Sequence, residues 1–164
     1  MNVTLEQLRI DEATWASGPP ERQHEWRLAC NEIVEEGNFE IADGAAGPFR
    51  GLVGVAPGRL YIELRGGEAL VGAHELPLAR IESLIDEYIR TIVEMGKVSG
   101  RNSPRLEALD IAKRITHDEA GEEIRAAIPS LRPDLATARR FFTLFVTLFH
   151  DTTKLAAPPH RVQY

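Results

Sequence analysis

The sequence predicts an α+β domain: a small antiparallel β-meander packed by about five helices, with a Phe-rich C-terminal helix at the centre. Three observations predict it. Between Leu60 and Arg65 apolar and polar residues alternate, and Pro57-Gly58 and Gly66-Gly67 punctuate the stretch from Leu52 to Leu76, which is the period and turn chemistry of short paired strands. From Pro77 onward the apolar spacing changes to threes and fours, the helical period. Finally, Phe141, Phe142, Leu144, Phe145, Val146, Leu148 and Phe149 cover most of the circumference of one helix, which suits a rod buried on nearly all sides.

Taken in order, Leu5, Leu8 and Ile10 fit neither period, so residues 1–18 read as a partly ordered N-terminal segment ahead of a domain spanning 19–150. Gly18-Pro19-Pro20 breaks that segment and opens a helix, because Pro at a first helical position loses no hydrogen bond. Trp26, Cys30, Ile33 and Val34 share one face of it, and Gly37-Asn38 stops it. Asp43 to Pro48 reads as a loop. Strands follow at Leu52–Val55, at Leu60–Leu64 and at Leu70–Leu76, with Phe39–Ile41 as a fourth candidate. Leu78, Ile81, Ile85, Tyr88, Ile92 and Met95 form a narrow helical seam, expected to pack on the sheet; a symmetric dimer through the seam is the alternative.

Ser103 then caps a helix with Pro104 at its first position. Thr116-His-Asp-Glu119 opens another, read as a capping box in which Thr116 and Glu119 bond each other's backbone N–H. Asp134 caps the final helix, which runs to about His150. Residues 151–164 lack periodicity and read as a flexible tail.

Composition narrows the function. The chain has 164 residues, 43% of them hydrophobic, enough for one domain with its own core. A net charge of −6 disfavours nucleic-acid binding through phosphate neutralisation and attachment to anionic membranes. The single Cys30 excludes an intrachain disulfide, and its register makes it a small buried hydrophobe. The first residues carry no apolar signal region, and Phe141–Phe149 is too short to span a bilayer. A cytoplasmic protein is the expectation. Scattered histidines without a His-x-x-x-His pair predict no metal site, and no cofactor is predicted in the absence of a phosphate-binding Gly loop.

The ionisable residues of the C-terminal third are the candidates for chemistry. At the N-terminus of a helix His117 would favour its neutral form, free to act as a base or ligand. Glu119 or Asp110 would orient it. Asp110 and Arg114, four apart, suit a surface ion pair equally well. Arg139, Thr143, Thr147 and His150 make a polar stripe on the Phe-rich helix: either a solvated face, or a pocket wall in which Arg139 clamps a carboxylate or phosphate. Arg114, Arg139, Arg140, Thr143 and His150 are thus the candidate ligand-binding set. Asp134 offers the two arginines a local partner instead.

The runs RLEALDIAKRITHDEAGEE and TARRFFTLFVTLFH resemble the uncharacterised protein family two-six-two, small proteins typical of alphaproteobacteria. Arg105, Leu106, Glu107, Ala108, Asp110, Lys113, Arg114, His117 and Glu119 carry the first block. Thr137, Ala138, Arg139, Arg140, Phe141 or Phe142, Thr143, Leu144, Leu148 and His150 carry the second. Looser likeness reaches upstream through His24 to Arg27, Asn38-Phe39, His74 and Tyr88. The chain departs from the family pattern at Met95 and Gly96, where aromatics are usual, and at Asp151, where a Trp is usual. The resemblance implies no known activity or cofactor; it does imply that the arginine pair, His117 and Glu119 recur together.

Two functions follow as expectations. The first is a non-catalytic binding or accessory module acting through protein partners, as a homodimer or with another protein. The alternative is an enzyme or small-anion-binding protein with a His/Arg/carboxylate pocket, which requires His117 and Arg139 to share one concavity.

Overall fold

A computed structural model describes residues 2–41 and 45–155. The N-terminal segment forms β1 (Asn2–Val3), β2 (Gln7–Ile10) and a short helix α1 (Glu12–Ser17), capped by the Asp11 carboxylate. The helix α2 (Pro20–Glu36) follows, then β3 (Phe39–Glu40), and then the meander β4 (Phe49–Ala56), β5 (Arg59–Gly66) and β6 (Ala69–Glu75). Three long helices complete the fold: α3 (Leu78–Lys97), α4 (Ser103–Ala127) and α5 (Leu135–Phe149).

The meander is antiparallel, as its alternation and turns predict, and its turns place Gly58 at φ 72° and Gly67 at φ 58°, where a side chain would be strained. The sheet is larger than the meander. β2 joins β4 in parallel, Leu8 opposite Gly51 and Ile10 opposite Val53, so the order is β2-β4-β5-β6. The segment with no readable period therefore supplies an edge strand, and Leu5, Leu8 and Ile10 are buried. Phe39–Glu40 is a strand as expected, but it pairs with β1 in a separate two-stranded ladder rather than with the meander.

Three expectations about helices are corrected. No helix begins at Thr116. A single helix α4 runs from Ser103 to Ala127, and Thr116 lies inside it, 2% exposed. A capping box needs free N–H groups at a chain entry, and here the preceding turns already occupy that place. The buried face, Leu109, Lys113, Thr116, His117, Ala120 and Ile124, runs unbroken through the position read as a start. The N-cap of α4 is Asn102, whose side chain accepts from the Arg105 N–H at 3.3 Å, one residue ahead of the expected Ser103.

The seam of α3 is buried as Ile81, Leu84, Ile85, Tyr88 and Ile92, but the helix lies chiefly along α4 rather than on the sheet. A dimer through that seam is closed off by the same packing. α5 is the central helix: Phe141, Phe142, Leu144, Phe145 and Val146 are all 0% exposed, and it contacts α2, α3 and α4. After it, Thr152–Lys154 forms a 3-10 turn with Thr152 buried. The rest of the tail read as flexible, 156–164, and Asp43-Gly44 of the Gly-rich loop lie outside the described residues.

Candidate functional site

α4 and α5 run antiparallel and approach closely where α4 carries Gly121. A Cβ at Gly121 would lie 2.8 Å from Leu135 Cδ1 and 3.2 Å from Arg139 Cγ. This contact brings His117 of α4 beside Arg139 and Thr143 of α5. The imidazole is 1% exposed. It stacks on Tyr88 of α3, centroids 5.5 Å apart and planes 26° apart, and tilts against Phe142 at 5.5 Å.

The hydrogen bonds define its tautomer. Arg139 Nε–H donates to His117 Nδ1 at 3.3 Å, so Nδ1 is the unprotonated nitrogen. Nε2–H then donates to Thr143 Oγ1 at 3.2 Å, and the Thr143 hydroxyl donates to the Arg139 carbonyl at 3.2 Å. Each donor has an acceptor and the chain closes on α5. Burial pushes the His117 pKa down from 6.5 to about 3, helped by the positive charges of Arg139 and Lys113. The expectation of a neutral His117 holds, but the cause is burial beside cations, not a helix N-terminus.

Arg139 Nε also lies 3.4 Å from Asp118 Oδ1, which leads the guanidinium toward the surface. The expected orienting carboxylates stand elsewhere. Asp110 is two turns back on α4, about 10 Å along the axis, paired with Arg114 at 2.9 Å and Lys113 at 3.6 Å. Glu119 points about 200° around the helix from His117 and meets Arg80 of α3 at 3.8 Å. Arg140 pairs with Glu32 of α2 at 3.6 Å. His150, at the far end of α5, pairs with Asp86 of α3 at 3.4 Å.

Of the predicted set, then, the structure brings together His117, Arg139 and Thr143, and disperses Asp110, Arg114, Glu119, Arg140 and His150. The polar stripe of α5 is not solvated: Thr143 is 5% and Thr147 1% exposed. Tyr88, Phe142 and buried Lys113 complete the surroundings of His117 and were not singled out for a site; only the seam position of Tyr88 hinted at a ring facing inward. Two clefts open elsewhere. One of about 620 Å³ lies between β2, α1 and α2, lined by Arg9, Trp15, Arg27 and Asn31 among others. The other, about 830 Å³, is lined by Asn38, Arg125 and Asp134 among others. Neither includes a predicted site residue. Among the described residues no three His, Cys, Asp or Glu side chains converge to hold a metal ion, and no helix is long and apolar enough to cross a membrane.

The chain as a whole has relatives among known sequences. The family model described as "Uncharacterised protein family (UPF0262)" matches residues 2–151. The chain belongs to the UPF0262 family. A UPF0262 protein of Bradyrhizobium sp. (strain ORS 278) is 31% identical over 146 residues, covering 86% of each chain. One of Methylobacterium radiotolerans is 30% identical over 148 residues, 88% of this chain and 91% of the relative. One of Phenylobacterium zucineum is 28% identical over 146 residues, again spanning 88% of this chain and 91% of its own. No solved structure matches. The UPF0262 match takes in every described strand and all five described helices, so His117, Arg139 and Thr143 lie inside the matched region.

Proposed function

We propose that this UPF0262 protein is a non-catalytic binding module that acts in the cytoplasm through a protein partner. One observation carries the reading. His117, the best candidate for a base, has Nδ1 and Nε2 both hydrogen-bonded inside the fold, its ring stacked on Tyr88, and its pKa held at about 3. A general base works best with a pKa near the operating pH and within reach of a substrate proton. A side chain 1% exposed meets neither condition. The anion-clamp alternative loses support for a related reason: Arg139 faces Asp118 and Arg140 faces Glu32, so each carries a carboxylate where an anion would sit.

Histidine reactivity in the folded protein tests the first half. Treated with an imidazole-acylating reagent and read by peptide mass spectrometry, exposed His24 and partly exposed His150 should react while His117 stays protected. Labelling of His117 at the rate of His24 would return it to the list of catalytic candidates. Affinity purification of the tagged chain from its own host tests the second half. A protein recovered at fixed stoichiometry is expected; recovery of none above background sinks the binding reading.

A further inference from the structure

α4 has two faces with different fates. One carries the buried row through Lys113, His117 and Ile124. On the other side, Ala108, Ile111, Ala112 and Ile115 lie at i, i+3, i+4 and i+7, the spacing of a single helical stripe, and all four are exposed. Ile111 is 56% and Ile115 58% exposed, the two most exposed large apolar side chains among the described residues. Arg80 of α3 reaches Glu119 and Glu123 beyond the C-terminal end of the stripe.

The stripe is self-complementary. It alternates small and large residues, so an antiparallel copy centred between Ile111 and Ala112 sets each Ile of one helix over an Ala of the other: Ile111 over Ala112, Ile115 over Ala108. The charges at its two ends are opposite in sign. Arg101 and Arg105 flank the N-terminal end, and neither has a carboxylate partner among the described residues. Glu119 and Glu122 flank the C-terminal end, with side chains 55% and 60% exposed. The same antiparallel register brings Arg105 of one copy to Glu119 of the other, because symmetric antiparallel helices meet flank to like flank. A parallel arrangement would oppose arginine to arginine and glutamate to glutamate.

We propose that the exposed stripe of α4 is a homodimer interface in which two copies pack α4 against α4, antiparallel about a two-fold axis at Ile111–Ala112. The small alanines let the helix axes approach to about 8 Å. This surface differs from the buried seam of α3. It stands whether or not the chain also binds another protein.

Sedimentation equilibrium of the full chain should give a dimer mass that dissociates on dilution. Ile111→Glu with Ile115→Glu should raise the dimer dissociation constant roughly 100-fold, since each buries a large apolar side chain, without changing the circular dichroism spectrum. Glu119→Arg should weaken the dimer and Arg105→Glu in the same chain should restore it. Single cysteines fix the geometry. Under oxidation Ala112→Cys should cross-link to its symmetry mate, being about 1.5 Å from it along the axis, while Ala108→Cys, about 10 Å away, should not. Native Cys30 does not compete: it is buried and its thiol is pushed up to about 12. A monomer at every concentration, a dimer indifferent to the Ile substitutions, or cross-linking of Ala108→Cys as ready as that of Ala112→Cys overturns the proposal.

Discussion

The Trp26 indole N–H of α2 donates to the Thr147 carbonyl of α5 at 2.8 Å. That carbonyl belongs to the last turn of α5, where no later residue of the helix supplies a donor. Arg22, one turn before Trp26, donates to the same carbonyl at 3.2 Å and to that of Leu148 at 3.0 Å. Its guanidinium carbon lies 5.2 Å from the centre of the Trp26 ring. Two side chains of one helix thus cap the C-terminus of another, and the cationic one complements the negative end of its dipole.

Trp26→Phe keeps most of the buried ring and removes the donor. A loss of about 1 kcal/mol is expected, modest because Arg22 still serves the Thr147 carbonyl. Adding Arg22→Ala leaves both carbonyls without a side-chain donor, and the combined loss should exceed the sum of the single ones. Urea unfolding midpoints check this; strictly additive effects would mean that the two donors do not share the cap.

Asp134 plays the corresponding part at the other end of α5. Its carboxylate accepts from the Thr137 N–H at 2.8 Å and from the Asn38 side-chain amide at 3.3 Å, tying the start of α5 to the end of α2. Partial burial works to raise its pKa, but the hydrogen bonds from Thr137 and Asn38 outweigh it and hold the carboxyl below its ordinary value. Its contribution is therefore present above the ordinary carboxylate range and lost as pH falls through the lowered pKa. Asp134→Ala should cost about 1 kcal/mol near neutral pH and progressively less in acid. An undiminished difference at low pH would assign the effect to packing instead.

Local signals were legible in the sequence, and signals that depend on distant partners were not. The turns at Pro57-Gly58 and Gly67, the cap at Asp134 and the breaker ahead of Pro20 act within a few residues, and each stands where the chain predicts it. The strand β2 does not: four residues, Gln7–Ile10, hold too little period to read, and only pairing with β4 defines them. Thr116 failed for a related reason. Thr-x-x-Glu marks a helix start only when nothing helical precedes it, and the apolar row from Leu109 to Ile124 continues through it. The α5 stripe misled because threonines are polar by type yet bond their own helix, as Thr147 does to the Leu144 carbonyl at 2.7 Å, and so tolerate burial. His117, Arg139 and Thr143 could be nominated one by one; that they bond one another depends on the register of α4 against α5, which no spacing within either helix encodes.

Gly54 lies directly opposite Tyr61 in the β4–β5 ladder, and the phenol ring covers it so closely that a Cβ on Gly54 would fall within the ring. The aromatic shields a strand glycine that has no side chain to pack. Gly54→Val should displace Tyr61 and destabilise by about 1–3 kcal/mol despite the higher strand propensity of valine. Gly54→Val with Tyr61→Thr should recover most of the loss, because the clash is then gone. No recovery in the double variant would place the cost in the backbone.

The strongest pH dependence should come from His117. Its pKa falls from 6.5 to about 3 on folding, because burial beside Arg139 and Lys113 disfavours the imidazolium. Between those two values the unfolded chain binds a proton that the folded chain refuses, so stability is complete above 6.5 and declines as pH falls toward 3. At about 1.4 kcal/mol per pH unit, the full decline is on the order of 5 kcal/mol. His117→Gln should start from lower stability at neutral pH, since an amide cannot reproduce both the acceptor for Arg139 and the donor to Thr143 in that geometry, and it should lose the slope across this window. Arg139→Met should keep part of the slope and confine it to the upper part of the window, because removing the second cause of the shift raises the folded pKa. Urea titrations of the three chains from neutral pH to pH 4 separate these outcomes. If the Gln variant tracks the parent with the same slope, protonation of His117 does not drive the acid response, and the carboxylates, Asp134 first, are the groups to examine.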